Sequence, residues 1–443
     1  MLAAALATIL VSAPQDAAAA GGKSGGAVEI TLRHRIAPIE EDDSVPLRES
    51  VLRVEVGSGL VRIRGEGPER VYDFAAGRRE TYDRERGLLF STSLLAAVSF
   101  RHREMTKILG WRDDLGIHAD KMDRLSVALT EHRLGIRAAS GPETVERVAG
   151  DEGVRFTWQG RDLAFVDAER LPVSAAALRD YVRYLRYEMR GHPLVMEEIA
   201  GGAGVPRLLR VFLIGAENRA IEVEVQSVHP SEDSPPAREG LQRAWPLPDR
   251  LTLAMAAAFA LEPWDAEAAA DALEAQAAAA FARGALLEAL LRSQEAELMT
   301  GLPLPSAHRE RLRAYDLDPE ASEFRAALEA SDAEAARAAA QHMAALRGKM
   351  PEQAHVIGVL EARLRAGIGE GQMAANLLIQ ALQREPRLGA AWAELGDLLA
   401  ADYDLEGAWA CWEAGHAASP ECRWLRPFRT EEARLLRKYP EYF

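Results

Sequence analysis

The densest set of residues able to do chemistry in this 443-residue chain is Asp180-Tyr181-Val182-Arg183-Tyr184-Leu185-Arg186-Tyr187, in which arginine and tyrosine interleave. On a helix Tyr181, Tyr184 and Tyr187 lie near one another, and Arg179, Arg183, Arg186 and Arg190 form a neighbouring stripe. Such a surface could stack on bases, meet a membrane or hold an anion. The commoner outcome for this pattern is tyrosines half-buried against a sheet with the arginines in water. Tyr181, Arg183, Tyr184 and Arg186 are therefore the candidate anion or aromatic surface of the front half.

Other chemistry is harder to find. Ala17 to Ser24 fits a relaxed phosphate-loop pattern, but a working loop needs a strand before it and a helix after it, and here Gly25-Gly26 and a strand follow. His102 and Glu104 are two apart on an expected helix and point to different faces. His34, His118 and His132 are scattered, without a metal-loop spacing near them. Gly57-Ser58-Gly59 sits between two strand signals and reads as a hairpin turn rather than a nucleophile elbow. Cys411 and Cys422 are too few for a disulfide framework or a structural zinc site; they could pair, or stay free with Cys411 packed as a small hydrophobe. The expectation is no catalytic set, no metal and no cofactor.

The elements that must position these residues divide the chain in two. Strand signals run through AVEITLRHRI, SVLRVEV, GLVRIRG, RVYDF and GLLFST, and resume with VRFTWQG, LAFVDA, RLLRVFLIG and AIEVEVQSV. Helical periodicity interrupts them over Leu94–Trp111, Ala119–Leu134 and a helix capped by Ser174 that carries the Tyr/Arg run. Strands with inserted helices and no regular βαβ alternation predict an α+β domain over 27–230, beginning with an antiparallel meander. Residues 231–249, rich in proline, read as a linker, and 250–443 as all-helical.

Of the net charge of −15, −11 falls after residue 250, so the helical half disfavours nucleic acid and anionic membrane as partners. The opening MLAAALATILVSAPQDAAAA has the apolar run and small-residue end of a secretory signal cut after Ala20, although no Lys or Arg precedes the run. It predicts a periplasmic or secreted protein, or a cytoplasmic one if the leader is not a signal. No stretch is long and apolar enough to span a bilayer.

Prolines at 319, 351, 386 and 420 recur with a period near 34, and Gly389 to Pro420 carries Trp392, Leu395, Gly396, Ala408, Trp412 and Pro420. At this spacing the stretch resembles a tetratricopeptide repeat, with weaker copies before it; the resemblance covers about a hundred residues. It implies a helical-repeat domain whose concave face, lined by the first helix of each repeat, binds a protein or an extended peptide. The groove positions it implies are Ala390, Ala393, Asp397 and Ala401, with Ala400 beside them; the same alanines could instead pack on the next helix. The basic clamp that some members use for a peptide carboxylate is missing. In architecture alone, the front half resembles the periplasmic lipoprotein-carrier half-barrels, which hold acyl chains in an apolar concavity. The expected function is a non-enzymatic protein-interaction or scaffold protein of the bacterial-type envelope; the alternative is a lipid carrier using the front domain.

Overall fold

The computed structural model describes residues 27–39, 47–116, 125–138, 144–214, 219–232, 236–245, 247, 249–262, 265–302 and 306–443. The expected leader, the phosphate-loop-like run, His118 and the hairpin turn expected at Glu217 and Asn218, between RLLRVFLIG and AIEVEVQSV, lie outside these residues.

Six strands follow one another as a meander: β1 Val28–Pro38, β2 Arg48–Gly57, β3 Leu60–Arg64, β4 Glu69–Asp73, β5 Arg78–Asp83 and β6 Leu88–Ser93. Ser58 and Gly59, both at positive φ, make the β2–β3 turn, and Gly57 pairs with Leu60 across it. Helices α1 Leu94–Leu115 and α2 Val127–Leu134 come next. The strands resume as β7 Glu146–Ala149, β8 Gly153–Trp158, β9 Arg161–Asp167 and β10 Arg170–Pro172. After α3 Ala175–Glu188 and α4 Pro193–Ala200 the half ends with β11 Gly204–Pro206, β12 Leu208–Leu213 and β13 Arg219–Pro230. Strand β13 returns to pair antiparallel with β1, which joins the meander to the later strands in one 12-stranded sheet. The α+β architecture expected from the strand and helix signals is the one observed.

One face of the sheet carries α3 and α4. Alternation along β1 and β2 turns Ile30, Leu32, Val54 and Val56 inward, where they form one core with Leu178, Tyr181, Leu185, Val195 and Ile199. Each such side chain, fully buried, contributes about 1.5–3 kcal/mol. Ser174 caps α3 by accepting from the Ala177 amide, as its position in the sequence implies.

The proline-rich segment is held to the body at its far end. Its strand β14 Gln242–Ala244 pairs parallel with β6, and Trp245 stacks on Phe259 in the helical core.

The helical half runs α5 Asp249–Ala260, α6 Ala266–Ala282, α7 Leu286–Thr300, α8 Ser306–Leu317, α9 Pro319–Leu328, α10 Ala333–Lys349, α11 Ala354–Gly367, α12 Gly371–Arg384, α13 Gly389–Ala401, α14 Leu405–Ala418 and α15 Arg426–Lys438. The recurring prolines stand at the starts or ends of the hairpins α9–α10, α11–α12 and α13–α14, where a missing amide costs least. Small residues set the closest approach: a Cβ on Gly396 would lie 2.2 Å from Trp412 Nε1, and one on Gly415 would lie 2.6 Å from Trp392 Cβ. Helix α7 packs against α9, α11 and α13, the first helices of three hairpins, while α5 packs against α12 and α14. His355 of α11 meets Glu295 of α7 at 2.8 Å in the buried seam.

Candidate functional site

The two halves share one core. Leu95, Ala96, Val98 and Met105 of α1 pack with Trp409 and Trp412 of α14, Phe428 and Leu435 of α15, and Tyr439 and Tyr442 of the C-terminal tail. Polar contacts pin the rim: Arg78 Nη1 donates to Glu413 at 2.7 Å, Arg79 Nη2 to Glu406 at 2.9 Å, and Arg103 Nη1 to the Ala400 carbonyl at the end of α13 at 3.1 Å. Tyr442 Oη donates to the Gly135 carbonyl at 2.7 Å and accepts from Arg101 Nη1 at 2.8 Å. His102 Nδ1 and Tyr439 Oη lie 2.9 Å apart. Burial, with Lys438 and Arg434 nearby, pushes the His102 imidazole down to about 4, so the ring is neutral near neutral pH. His132 is likewise pushed down to about 4 by burial; its Nδ1 accepts from the His192 amide and its Nε2 donates to the Phe212 carbonyl.

At one end of this junction the packing stops and a cleft of about 1150 Å³ opens between α1, α2 and the turn from α13 to α14. Its α1 wall is Ala96, Ala97, Phe100, Arg101, Glu104, Ile108, Trp111 and Leu115. They return every three to four positions, as residues along one side of a helix do. Phe100, Trp111 and Leu115 are exposed, and Tyr403 faces them from the opposite wall. Phe100 meets Tyr403 edge to face at 6.4 Å, and Lys107 Nζ sits 5.0 Å from the ring centroids of both Trp111 and Tyr403. Tyr403 has φ 64°, a left-handed conformation at the helix end where glycine or asparagine is the usual occupant. Holding a tyrosine there costs on the order of 1–2 kcal/mol, and it presents the ring to the cleft.

The acids in the wall are engaged. Glu188 binds Arg70 at 2.7 Å and accepts from Tyr72, Glu406 binds Arg79, Glu104 lies 3.8 Å from Lys107, and Asp404 accepts from the Gly407 amide at 2.9 Å. The arginines differ. Arg101 donates to the carbonyls of Arg186 and Tyr187 and to Tyr442 Oη, all neutral acceptors. Among the described residues Arg133, exposed on α2, has neither an ion pair nor a hydrogen bond. Arg190 also lines the cleft and is engaged, so the cleft offers exposed Trp111 and Leu115 toward the end of α1 and, around Phe100 and Arg101, a mixture of acids and arginines.

The residues singled out in the sequence lie elsewhere. Tyr181 and Tyr184 are buried beneath the sheet, Arg183 lies over the Phe74 ring at 5.5 Å, and Arg186 is buried over Tyr442 at 5.7 Å. They serve the core and the tail contact, whereas Tyr187 of that run and Arg190 of its arginine stripe line the cleft. On α13, Ala390 and Ala393 are buried while Asp397 and Ala401 are exposed, so the four do not form a continuous surface. Helix α7 packs against α13, while Ala393 belongs to the core shared with α1, α14 and α15. The thiols of Cys411 and Cys422 are buried and unbonded to each other; burial pushes Cys422 up to about 11 and Cys411 higher still. Among the described residues no group of His, Cys, Asp and Glu could hold a metal ion, and no helix is long and apolar enough to cross a membrane.

Composition and motif search pass over Phe100, Trp111 and Tyr403. The signal for Trp111 is the return of apolar residues along one side of α1, and for Tyr403 a tyrosine, in place of glycine, just past a helix end; nothing local marks Phe100. No protein-family model matches the chain, and no curated protein matches it.

Proposed function

We propose that this chain is a non-enzymatic interaction protein whose partner docks in the cleft shared by α1 and the turn from α13 to α14. The observation that carries the reading is the aromatic trio Phe100, Trp111 and Tyr403: large rings left in solvent on a cleft built by both halves, one of them held in a left-handed backbone. Exposed aromatic and arginine side chains grouped in a concavity are the usual carriers of binding energy. The tetratricopeptide-like hairpins, in this reading, are a scaffold that positions the Tyr403 wall, and the leader-like opening fits an exported location. The carrier alternative has less to support it in the sheet, because α3 and α4 occupy the face that would receive an acyl chain.

The test is comparative capture from the protein's own host with the full chain, the Trp111→Asp chain and a control altered at exposed Leu436, far along α15. A protein retained by the first and third and lost by the second supports the proposal. Identical capture by all three rejects it.

A further inference from the structure

We infer that His132 and His192 form an acid-released latch: a second proton on either ring displaces a backbone amide, and the contact between α2 and the start of α4 opens while the rest of the fold stays closed. The latch is independent of what docks in the cleft, although it secures α2, whose Arg133 and Leu134 line that cleft.

The polarity of the partners fixes where each proton sits. The Phe212 carbonyl can only accept, so His132 carries its hydrogen on Nε2, 2.9 Å away. Its Nδ1 is then the acceptor for the His192 amide at 3.0 Å. His192 caps α4 by accepting from the Leu194 amide at Nδ1, and turns Nε2 to Glu131 at 2.9 Å. The other Glu131 oxygen accepts from the Ala138 amide at 2.6 Å, and the Gly191 amide donates to the His132 carbonyl at 2.8 Å. Every ring nitrogen of the pair is thus engaged, two of them by amides that can only donate. A proton added at either Nδ1 would set one N–H against another inside a buried contact.

Nearby charge does not relieve this. His192 is the titratable group that bears on His132, and burial, with His192 adding to it, pushes His132 down to about 4. Glu131 attracts a charged His192, but the added proton could enter only at Nδ1, where the Leu194 amide already points. The other charged groups of the packed elements are turned to partners of their own. On α4 Glu197 meets Arg137 and Glu198 meets Arg147, and on β12 Arg210 meets Glu222. On β9 Asp162 lies 3.8 Å from Arg155 and Asp167 accepts from the Glu169 amide. Arg101 of α1 donates to the Arg186 and Tyr187 carbonyls, and Arg133 and Arg190 line the cleft. Below about 6.5 the opened segment therefore binds a proton that the closed one refuses, and opening becomes easier as pH falls toward 4.

The experiment is amide hydrogen exchange of the full chain near pH 7 and near pH 5, corrected for intrinsic rates, with ring-nitrogen magnetic resonance spectra of the histidines. The amides of Gly191, His192 and Leu194 should exchange ahead of those in the paired strands β1 and β13. They should open about twentyfold more readily at the lower pH. His132→Asn, whose side-chain oxygen can accept from the His192 amide but cannot titrate, should flatten that response. Latch amides that exchange only together with β1 and β13, equal opening at both pH values, or an unchanged response in His132→Asn overturns the inference. So does a neutral His132 carrying its hydrogen on Nδ1. The ring spectra and the exchange of the unaltered chain need no variant, so they decide the matter if His132→Asn fails to fold.

Discussion

The two halves of α1 make opposite use of the same helix. From Leu94 to Ile108 it is clamped between the sheet, α14, α15 and the tail, with Leu94, Leu95, Val98, His102 and Met105 buried. Beyond Ile108 none of its described side chains is buried, although Trp111 and Leu115 are as apolar as those before them. A helix needing only to join two domains would end near Ile108 or turn polar. The first half reads as permanent interface and the second as surface awaiting a cover, a difference that measurements of stability and of binding can separate.

The largest expected effect lies in the clamped half. Trp409 is fully buried, with its ring edge-on to Trp412 and Phe428. Trp409→Ala should cost about 3–5 kcal/mol, read as a lower denaturation midpoint. Because that core holds side chains of both halves, strand and helix signals should shift together. Two separated transitions would show that the halves are only loosely joined.

Next in size is a pH effect. His102 and His132 are pushed down to about 4 from an ordinary value near 6.5, so between those limits the unfolded chain binds protons that the folded chain refuses. Stability is fully present above about 6.5 and falls as pH drops toward 4. The share owed to His102 is on the order of 2 kcal/mol. His102→Gln should flatten that part of the profile in equilibrium unfolding. A variant with an unchanged slope would place the pH response outside the junction.

Much of this frame is legible in the sequence. Alternating Ile30, Leu32, Val54 and Val56 announce strands because one face of each is buried, and Ser174 announces a helix start because its hydroxyl satisfies a free amide. Strand β5, RRETYD, is missed because its inward positions are Glu80 and Tyr82, and Glu80 is tolerated there only through the Tyr82 hydroxyl and Arg238. Strand β14 has three residues and exists through its pairing with β6. The hairpin α13–α14 is legible in Trp392, Gly396 and Trp412, but nothing local tells that α7 packs against α9, α11 and α13. The cleft is least legible of all, since Phe100, Trp111 and Tyr403 come together only when α1 meets the end of α13.

A smaller effect separates the tail from the clamp. Tyr442→Phe keeps the ring against Tyr187 but removes a donor to Gly135 and an acceptor for Arg101. The expected loss is about 1–2 kcal/mol, because both partners are left short of a hydrogen bond away from water. Calorimetric unfolding of the variant checks it, and a loss below about 0.3 kcal/mol would mean that the tail lies on the surface of the fold rather than within it.

The smallest expected change in stability is also the one that bears most on function. Trp111 is 50% exposed, and its ring meets Lys107 of the same helix, which has Tyr403 as a second ring. Truncating it opens no sealed cavity and strands no buried polar group, so Trp111→Ala should change unfolding free energy by no more than about 0.5 kcal/mol. The same substitution at Trp409 is expected to cost several times more. If Trp111→Ala proved as destabilising as Trp409→Ala, the far half of α1 would belong to the interface and the cleft would lose its standing as a site. If stability holds while capture of a partner fails, the tryptophan is kept on the surface for binding rather than for folding.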